Sequence, residues 1–513
     1  MLRRTLLAGT AGVLLALASA PVGWTILAPV SVALLVLSVR GMRARAALLP
    51  GLVFGIGHFF VLLWWMRAVG WDAWLALSAA QAVVVAPLGS ALALVGRLRW
   101  WPVWSALCWV AVETIRSSWP FGGLPWGRLS YTVADTWWAA SLPWLGFTGL
   151  SLLLAGTGAA LAWWVSERPP LRQAAPVAAG LLALTLWGTV VPWQVEEDAT
   201  MRIAVVQGDV PGSGDDLVAV HRDVTRNHVE ATIDLAAQVR AGEVEAPDLV
   251  VWPENSTAVD PFRDAEVNAG IERASATIDA PILIGAMTDG EEPDAVLNQG
   301  IVWSPQTGPG DRYTKRHPVA FGEYIPWRDT LVTGNFGKLR LIGRDMLSGT
   351  RTDPLVVGPW RVADAICFDV AYDDAIHEQL GNGAQVLAVQ TSNAMFIRTH
   401  QIQQQYEITR LRALETGRSV VVAATNGVSG VIAPDGSVVD QARPRTTSVL
   451  VQDVVLDDGI TPAVAMGPWP GRAAVLLALI GCVLGARRGR GDALCSPGTP
   501  PRRGSLREPV ESW

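Results

Sequence analysis

Glu254, Lys315 and Cys367 are the side chains of this sequence best suited to acyl chemistry, and each stands beside an apolar run or a turn. Glu254 follows Leu249-Val250-Val251-Trp252-Pro253, with Pro253 fixing the chain just ahead of it. There it suits a general base, though the same setting fits a helix-start carboxylate in water. Lysine is scarce: of 40 basic residues only Lys315 and Lys338 carry an ammonium, a compact point charge that arginine's planar fork does not reproduce. Lys338 reads as a solvated-face residue. Lys315 opens Lys315-Arg316-His317-Pro318 and leads to Phe321-Gly322-Glu323-Tyr324-Ile325-Pro326, dense in turn formers and ionisable groups. Cys367 ends the run Val362-Ala363-Asp364-Ala365-Ile366 and precedes Phe368-Asp369. At the carboxyl end of a strand, where α/β sheets bind ligands, a thiol is a nucleophile; as a small buried hydrophobe it would be inert. A nucleophile, a base and a cation together are what nucleophilic acyl transfer needs. The six histidines show no ligand spacing, so no metal is expected.

Short β-branched runs separated by amphipathic helices position these groups. Strands are predicted at 202–207, 248–252, 281–286, 298–303, 362–366, 384–391, 419–425, 429–433 and 446–455, and helices at 217–240, 371–380 and 400–416. Runs such as Leu249-Val250-Val251-Trp252 and Val386-Leu387-Ala388-Val389 are apolar on both faces, which fits sheets covered by helices in a layered α/β sandwich. Ala433-Pro434-Asp435-Gly436 has the chemistry of a turn between two strands.

The rest of the chain is different in kind. Half of all residues are hydrophobic and 17% are charged, more apolar than an ordinary soluble domain. Apolar runs of bilayer length, or close to it, fall at 5–20, 25–39, 46–66, 74–96, 102–115, 137–165, 173–193 and 472–486. Arg3 and Arg4, Arg40 to Arg45, Arg97 and Arg99, Arg168 and Arg172, and Arg487 to Arg490 mark one side of these runs. Positive charge accumulates on the cytoplasmic side, so eight crossings place both termini there and 194–470 outside. Residues 6–20 after Arg3-Arg4 also fit the apolar part of a signal peptide, with the same topology for the rest. Of the four cysteines, Cys108, Cys367, Cys482 and Cys495, this leaves Cys367 alone outside, without a disulfide partner. The segment 117–136 reads as an interfacial loop anchored by Trp119 and Trp126, or as a lipid-facing wall of the site. The Arg-, Pro-, Gly- and Ser-rich stretch 487–513 reads as a disordered basic tail. No basic stripe or nucleic-acid motif appears outside it.

Trp252-Pro253-Glu254, Lys315 followed by Phe321-Gly322-Glu323-Tyr324, and Cys367-Phe368-Asp369 resemble the Glu-Lys-Cys triad of the nitrilase (carbon-nitrogen hydrolase) superfamily. With the apolar runs, Leu124-Pro125-Trp126 and the stretch Arg410-Leu411-Arg412-Ala413-Leu414-Glu415-Thr416-Gly417-Arg418, the chain is similar to that superfamily's membrane branch, the apolipoprotein N-acyltransferases. It departs in Phe368-Asp369, where Tyr-Glu is common, and in Ser392-Asn393-Ala394-Met395-Phe396, where Asn-Asp-Ala-Trp-Phe is usual. The resemblance implies a polytopic α-helical membrane domain of about eight spans plus a nitrilase-like αββα sandwich: 1–193 with seven spans, 194–470 catalytic, 471–486 a last span and 487–513 the tail. It implies Glu254, Lys315 and Cys367 as catalytic residues, with Glu323, Phe368 and Asp369 in support and Trp126, Trp252, Tyr324 and Asn393 as substrate-binding residues. The implied reaction is ping-pong transfer of an acyl group from a membrane phospholipid to the α-amine of a diacylglyceryl-modified apolipoprotein. It needs no cofactor, and it places the enzyme in a bacterial cell membrane with the catalytic domain outside. The alternative is a membrane-anchored amidase that resolves the thioester with water. Lifting a lipid carbonyl away from the bilayer would expose its chains, at about 0.8 kcal/mol per CH₂, so the site should sit against the outer leaflet. The stretch 334–347 reads as a mobile arm there, or as a surface excursion.

Overall fold

Every one of the eight predicted apolar runs is a helix. The computed structural model describes residues 1–196, 199–215, 220–331, 339 and 342–494. Its first seven helices are α1 (Leu2–Ala18), α2 (Leu27–Val39), α3 (Ala44–Leu62), α4 (Trp71–Val95), α5 (Trp101–Arg116), α6 (Leu142–Glu167) and α7 (Leu171–Val190). Small residues let them approach closely: a Cβ added at Gly51 would lie 2.3 Å from the Ala86 carbonyl oxygen, and one at Gly89 would lie 2.2 Å from that of Ala47. Backbone contact of this kind is the packing expected where lipid gives helices no hydrophobic reason to associate. Among the described residues, five helices are long and apolar enough to cross a bilayer, including the C-terminal one, and the chain is a membrane protein.

The remainder is a two-sheet sandwich. It runs β1 (Ala199–Gln207), α8 (His221–Ala241), β2 (Leu249–Val251), α9 (Ala265–Ile278), β3 (Ile282–Asp289), β4 (Ala295–Ser304), β5 (Gly308–Thr314), α10 (Arg328–Leu331), β6 (Asp345–Met346) and β7 (Leu355–Val357). There follow β8 (Trp360–Ile366), α11 (Asp373–Gly381), β9 (Val386–Thr391), α12 (Gln401–Thr416), β10 (Val420–Ala424), β11 (Gly430–Ile432), β12 (Val438–Gln441), β13 (Ser448–Leu456), α13 (Pro462–Met466) and α14 (Trp469–Leu494). One sheet has the order β13-β1-β2-β3-β4-β5, with β6 beside β4; the other has the order β12-β11-β10-β9-β8-β7. The β1-β2-β3 and β8-β9-β10 neighbours are parallel, as is the β4-β6 pair, and the remaining pairs are antiparallel.

Strand alternation sorts the core. Leu249 and Val251 of β2 meet Val362 and Ile366 of β8 between the sheets, while Val250 and Trp252 face α8 and α9. On the second sheet, Ala363, Ala365, Leu387 and Val389 turn toward α11 and α12, in an apolar cluster continuous with Phe147, Leu150 and Leu154 of α6. Two arginines close this seam. Arg128 and Arg412 both donate to Asp373 Oδ1 at 2.8 Å, Arg412 donates to Glu415 Oε2 at 2.5 Å, and the Phe147 N–H donates to Glu415 Oε1 at 3.3 Å. Burying guanidinium groups requires such partners, so Arg410 to Arg418 ties the sandwich to the apolar helices.

Several expectations need correction. Helix α9 was not expected, although Val267, Ile271, Ala274 and Ile278 form its buried stripe and Asp264 caps it by accepting from the Glu266 and Val267 N–H groups. The edge strands β5, β7 and β12 were missed: β5, Gly-Pro-Gly-Asp-Arg-Tyr-Thr, lacks an apolar run, and the apolar stretches of β7 and β12, Leu355-Val356-Val357 and Val438-Val439, are too short to read as strands. Helix α14 extends past Ala486 to Leu494, so the stretch read as a disordered tail begins helical; 495–513 lie outside the described residues. Within the arm read at 334–347, residues 334–338 (Lys338 among them), 340 and 341 also lie outside them, and Asp345–Met346 pairs as a strand with Ala295 and Val296.

Candidate active site

Three chain segments carry the site. Glu254 lies just past the carboxyl end of β2 and Cys367 just past that of β8, in the two parallel regions. Lys315 follows β5, held by its N–H to the Asn298 carbonyl at 2.9 Å. Packing the sheets face to face brings the three ends together, as binding at the carboxyl edge of such sheets would have it.

Glu254 is 3% exposed, yet each carboxylate oxygen is met. Oε1 accepts from Asn298 Nδ2 at 2.7 Å and pairs with Lys315 Nζ at 3.3 Å, and Oε2 accepts from the Ser392 N–H at 2.9 Å. Its backbone carbonyl accepts from Thr425 Oγ1 at 3.0 Å. Lys315 is 0% exposed, and its second carboxylate partner is Glu323 at 2.6 Å. Burial alone would lower that ammonium, but Glu254 and Glu323 outweigh it and hold it charged well above the ordinary range. Burial pushes the Glu323 carboxyl upward, with Lys315 opposing, and its other oxygen accepts from the Val319 N–H at 2.8 Å.

Cys367 is half-buried and starts a 3₁₀ turn with φ 54°, the left-handed region that non-glycine residues rarely adopt. Such strain persists where surroundings over-determine it, and it is frequent at active sites. Asp369 supplies one restraint, accepting at Oδ2 from Tyr313 Oη (3.0 Å) and the Arg316 N–H (3.2 Å), and at Oδ1 from the His317 N–H (2.9 Å). It thereby clamps the cysteine turn to the lysine segment. An amide would turn a donor toward at least one of these donors. Asp369→Asn is therefore expected to cost about 1.5–3 kcal/mol of stability and to slow acylation, read by thermal unfolding and single-turnover kinetics. A variant with wild-type melting and rate would refute the clamp. The thiol itself is pushed up to about 12 by burial, with Glu254 adding to the shift and Lys315 opposing it. Charges on Glu254 and Lys315 are thus felt at the sulfur.

The other expected residues divide. Phe368 stands between the Trp126 ring at 6.0 Å and the Tyr372 ring at 5.2 Å. Trp126 is 3% exposed and so is a wall beside the cysteine, whereas Trp119, 64% exposed, fits an interfacial anchor. Tyr324 is partly exposed, with Oη 3.5 Å from the Phe121 carbonyl. Asn393 is buried and donates to Gln401 and Gln405. Trp252 is a correction: its indole is fully buried, donates to Thr232 Oγ1 at 3.0 Å and leans on His228, on the helix-covered face away from Cys367.

Sequence reasoning missed Asn298, Thr391, Ser392, Gln404, Gln405 and Thr425, common polar residues with no composition signal. Gln404 Oε1 accepts from Trp126 Nε1 (2.7 Å) and Trp65 Nε1 (3.0 Å), while its Nε2 donates to the Ala20 and Leu62 carbonyls. It lines an apolar cavity of about 470 Å³ with Leu17, Phe60, Leu62, Trp64 and Trp65, at the ends of α1 and α3.

The profile described as the apolipoprotein N-acyltransferase N-terminal domain matches residues 11–160, and that of carbon-nitrogen hydrolase matches 202–461. An apolipoprotein N-acyltransferase of Mycolicibacterium smegmatis is 36% identical over 486 residues, covering 89% of this chain and 81% of the relative. One from Azotobacter vinelandii is 30% identical over 518 residues, covering 94% and 95%. Among solved structures, an amidase from a Nesterenkonia species aligns with a TM-score of 0.36 at 15% identity, covering 52% of this chain and 95% of that one. Two profile matches in chain order and end-to-end similarity to named relatives make the chain a member of the apolipoprotein N-acyltransferase family.

Proposed function

We propose that this enzyme moves a fatty acyl group from a membrane phospholipid to the α-amine of the N-terminal diacylglyceryl-cysteine of lipoproteins, by way of a thioester on Cys367. What carries it is the convergence of Cys367 with the Glu254–Lys315 pair beside an aromatic wall continuous with the apolar helices. Glu254 takes the thiol proton as sulfur attacks the ester carbonyl. The C–O bond then breaks, the lysophospholipid leaves with that proton, and the thioester remains. The amine next attacks the thioester, its proton passes through Glu254 to the departing sulfur, and an amide is formed. Lys315 offsets the oxyanion in both steps, and Glu323 holds Lys315 in place. Each proton transfer stays inside the site, so the buried net charge does not change.

Eight crossings, with α1, α2 and α5 as the short ones at 17, 13 and 16 residues, put 1–193 and 471–486 in the bacterial plasma membrane. They put 194–470 and the site on the extracytoplasmic side, where lipoprotein amines and outer-leaflet lipids meet. The apolar cavity beside Gln404 supports a lipid donor rather than an amidase open to water. Mass spectrometry of a reporter lipoprotein's N-terminal peptide, from cells with and without the gene, tests this. N-acylation is expected only with the gene, and the same acylation in both would sink the reading.

A further inference from the structure

Arg67 is a cation without a counterion at the end of the membrane helices nearest the catalytic sandwich. It lies in the 3₁₀ turn Trp64–Ala68 that joins α3 to α4. Its guanidinium packs into the corner of two tryptophan rings, 4.0 Å from the Trp64 centroid and 4.1 Å from that of Trp71, and the rings stand at 84° to each other. Its buried Nε has no hydrogen-bond partner, and among the described residues no carboxylate pairs with it. Two other arginines at this end are already committed: Arg116 donates to the Leu124 and Trp126 carbonyls, and Arg128 to Asp373. Trp64 is also a wall of the apolar cavity of about 470 Å³, together with Phe60, Trp65 and Trp74. Trp71 packs edge-on against Trp64 and Trp74, at 6.2 and 5.7 Å, so the cation and the cavity share one aromatic wall. Inside the cavity, Gln404 has both ends of its amide engaged by Trp65, Trp126 and the Ala20 and Leu62 carbonyls. Among the described residues of the lining, His400 alone is ionisable, and its Nδ1 is 3.2 Å from Gln403 Oε1. Hydrocarbon therefore suits the interior, and an anion suits the mouth.

We propose that Arg67, in its tryptophan corner, binds the phosphate of a glycerophospholipid whose acyl chain lies in this cavity, and that the acyl donor is held here before it reacts. A guanidinium meets phosphate through two parallel N–H···O bonds, and Arg67 has its donors free for them. The rings on two of its sides attract the cation and keep out water that would weaken those bonds. The cavity is of the size of ordinary ligand pockets, about 300–1,000 Å³. Its wall at Trp65 packs on Trp126 at 5.7 Å, and Trp126 packs on Phe368, next to Cys367, at 6.0 Å. A chain in the cavity thus borders the aromatic wall of the nucleophile. Shape alone would admit any long acyl ester, and the cation at the mouth selects those that carry a phosphate.

This inference rests on a phospholipid being the acyl donor to Cys367, and the test separates the two. Full-length protein in detergent micelles is given rising mole fractions of phosphatidylglycerol, and the thioester formed in a single turnover is read by mass spectrometry on the peptide carrying Cys367, because Cys108 and Cys482 are also free thiols. Arg67→Gln is expected to raise the donor fraction needed for half-maximal rate roughly tenfold or more, as for loss of a hydrogen bond to a charged group. Arg67→Lys keeps the charge but not the fork, and falls between the two. A phosphate-free donor, p-nitrophenyl butyrate, acylates Cys367 at the same rate in wild type and in Arg67→Gln. If the glutamine variant does not fold, Arg67→Lys carries the expectation as a several-fold shift confined to the phospholipid. Wild-type half-saturation in the Arg67 variants, or an equal loss with both donors, overturns the phosphate site and leaves Arg67 an interfacial anchor. Absence of any thioester from phospholipid in the wild type overturns the underlying reading instead.

Discussion

Incubated with phospholipid in the absence of an acceptor, the wild-type protein is expected to gain a hydroxylamine-sensitive acyl adduct on Cys367, and Cys367→Ala is expected to gain none. Transfer to a lipoprotein acceptor should fall at least about 10⁴-fold, the order seen when a covalent nucleophile is deleted and only binding and electrostatics remain. The adduct is measured by mass spectrometry of the Cys367 peptide, and an adduct mapped to another residue would refute the assignment. The pH dependence has a definite sign. Burial, with Glu254 adding to it, holds the free thiol at about 12, so through the neutral range it is protonated. Thiolate then grows about tenfold per pH unit, and alkylation by a small neutral reagent should climb steadily with pH instead of levelling off near neutrality. Acyl transfer need not follow that slope, because Glu254 removes the proton during attack. A plateau in alkylation near neutral pH would mean a thiolate already formed at rest.

Replacing Lys315 is expected to be nearly as severe. Lys315→Met removes the ammonium 3.3 Å from Glu254 and 2.6 Å from Glu323, and acyl-enzyme formation should slow by about 10²–10³-fold or more. It also leaves two buried carboxylates uncompensated, at about 3–5 kcal/mol of stability. The two losses can be told apart. Lys315→Met combined with Glu323→Gln removes one of the stranded charges, so melting temperature should recover in part while acylation does not. Lys315→Arg keeps the charge but offers a planar fork to a space shaped for a point donor, and should not restore the rate. Recovery of acylation in Lys315→Arg, measured by single-turnover thioester formation, would show that charge alone suffices and that position does not matter.

Much of the site was legible because its residue types are scarce. Lys315 is one of two lysines, Cys367 one of four cysteines, and apolar runs lead directly into Glu254 and Cys367. The partners that hold them were not. Asn298 lies 44 residues from Glu254 and Ser392 lies 138 away, and what joins them is strand register and sheet-on-sheet packing. Asn, Ser, Thr and Gln at those positions read as ordinary surface or turn residues until the second sheet covers them. Trp252 shows the opposite error. It belongs to the triad motif by sequence, yet it shares strand parity with Val250, and that parity sends its ring to the helix-covered face. Helix α9 had a readable stripe and cap but stood among turn formers.

The sequence by itself determined the class of chemistry, the apolar helices and the mixed α/β sandwich, since these depend on residue type and on periodicity along the chain. Only the tertiary structure decided which polar groups meet the reactive atoms: that Glu323 rather than water holds Lys315, that Asp369 joins the turn of Cys367 to the lysine segment, and that Trp126 lies against Phe368. The physical reason is range. Propensity and burial act over a few residues and can be read locally. A hydrogen bond between residues far apart in sequence exists only when two sheets and a membrane helix layer have packed in one register, and no local pattern encodes that register.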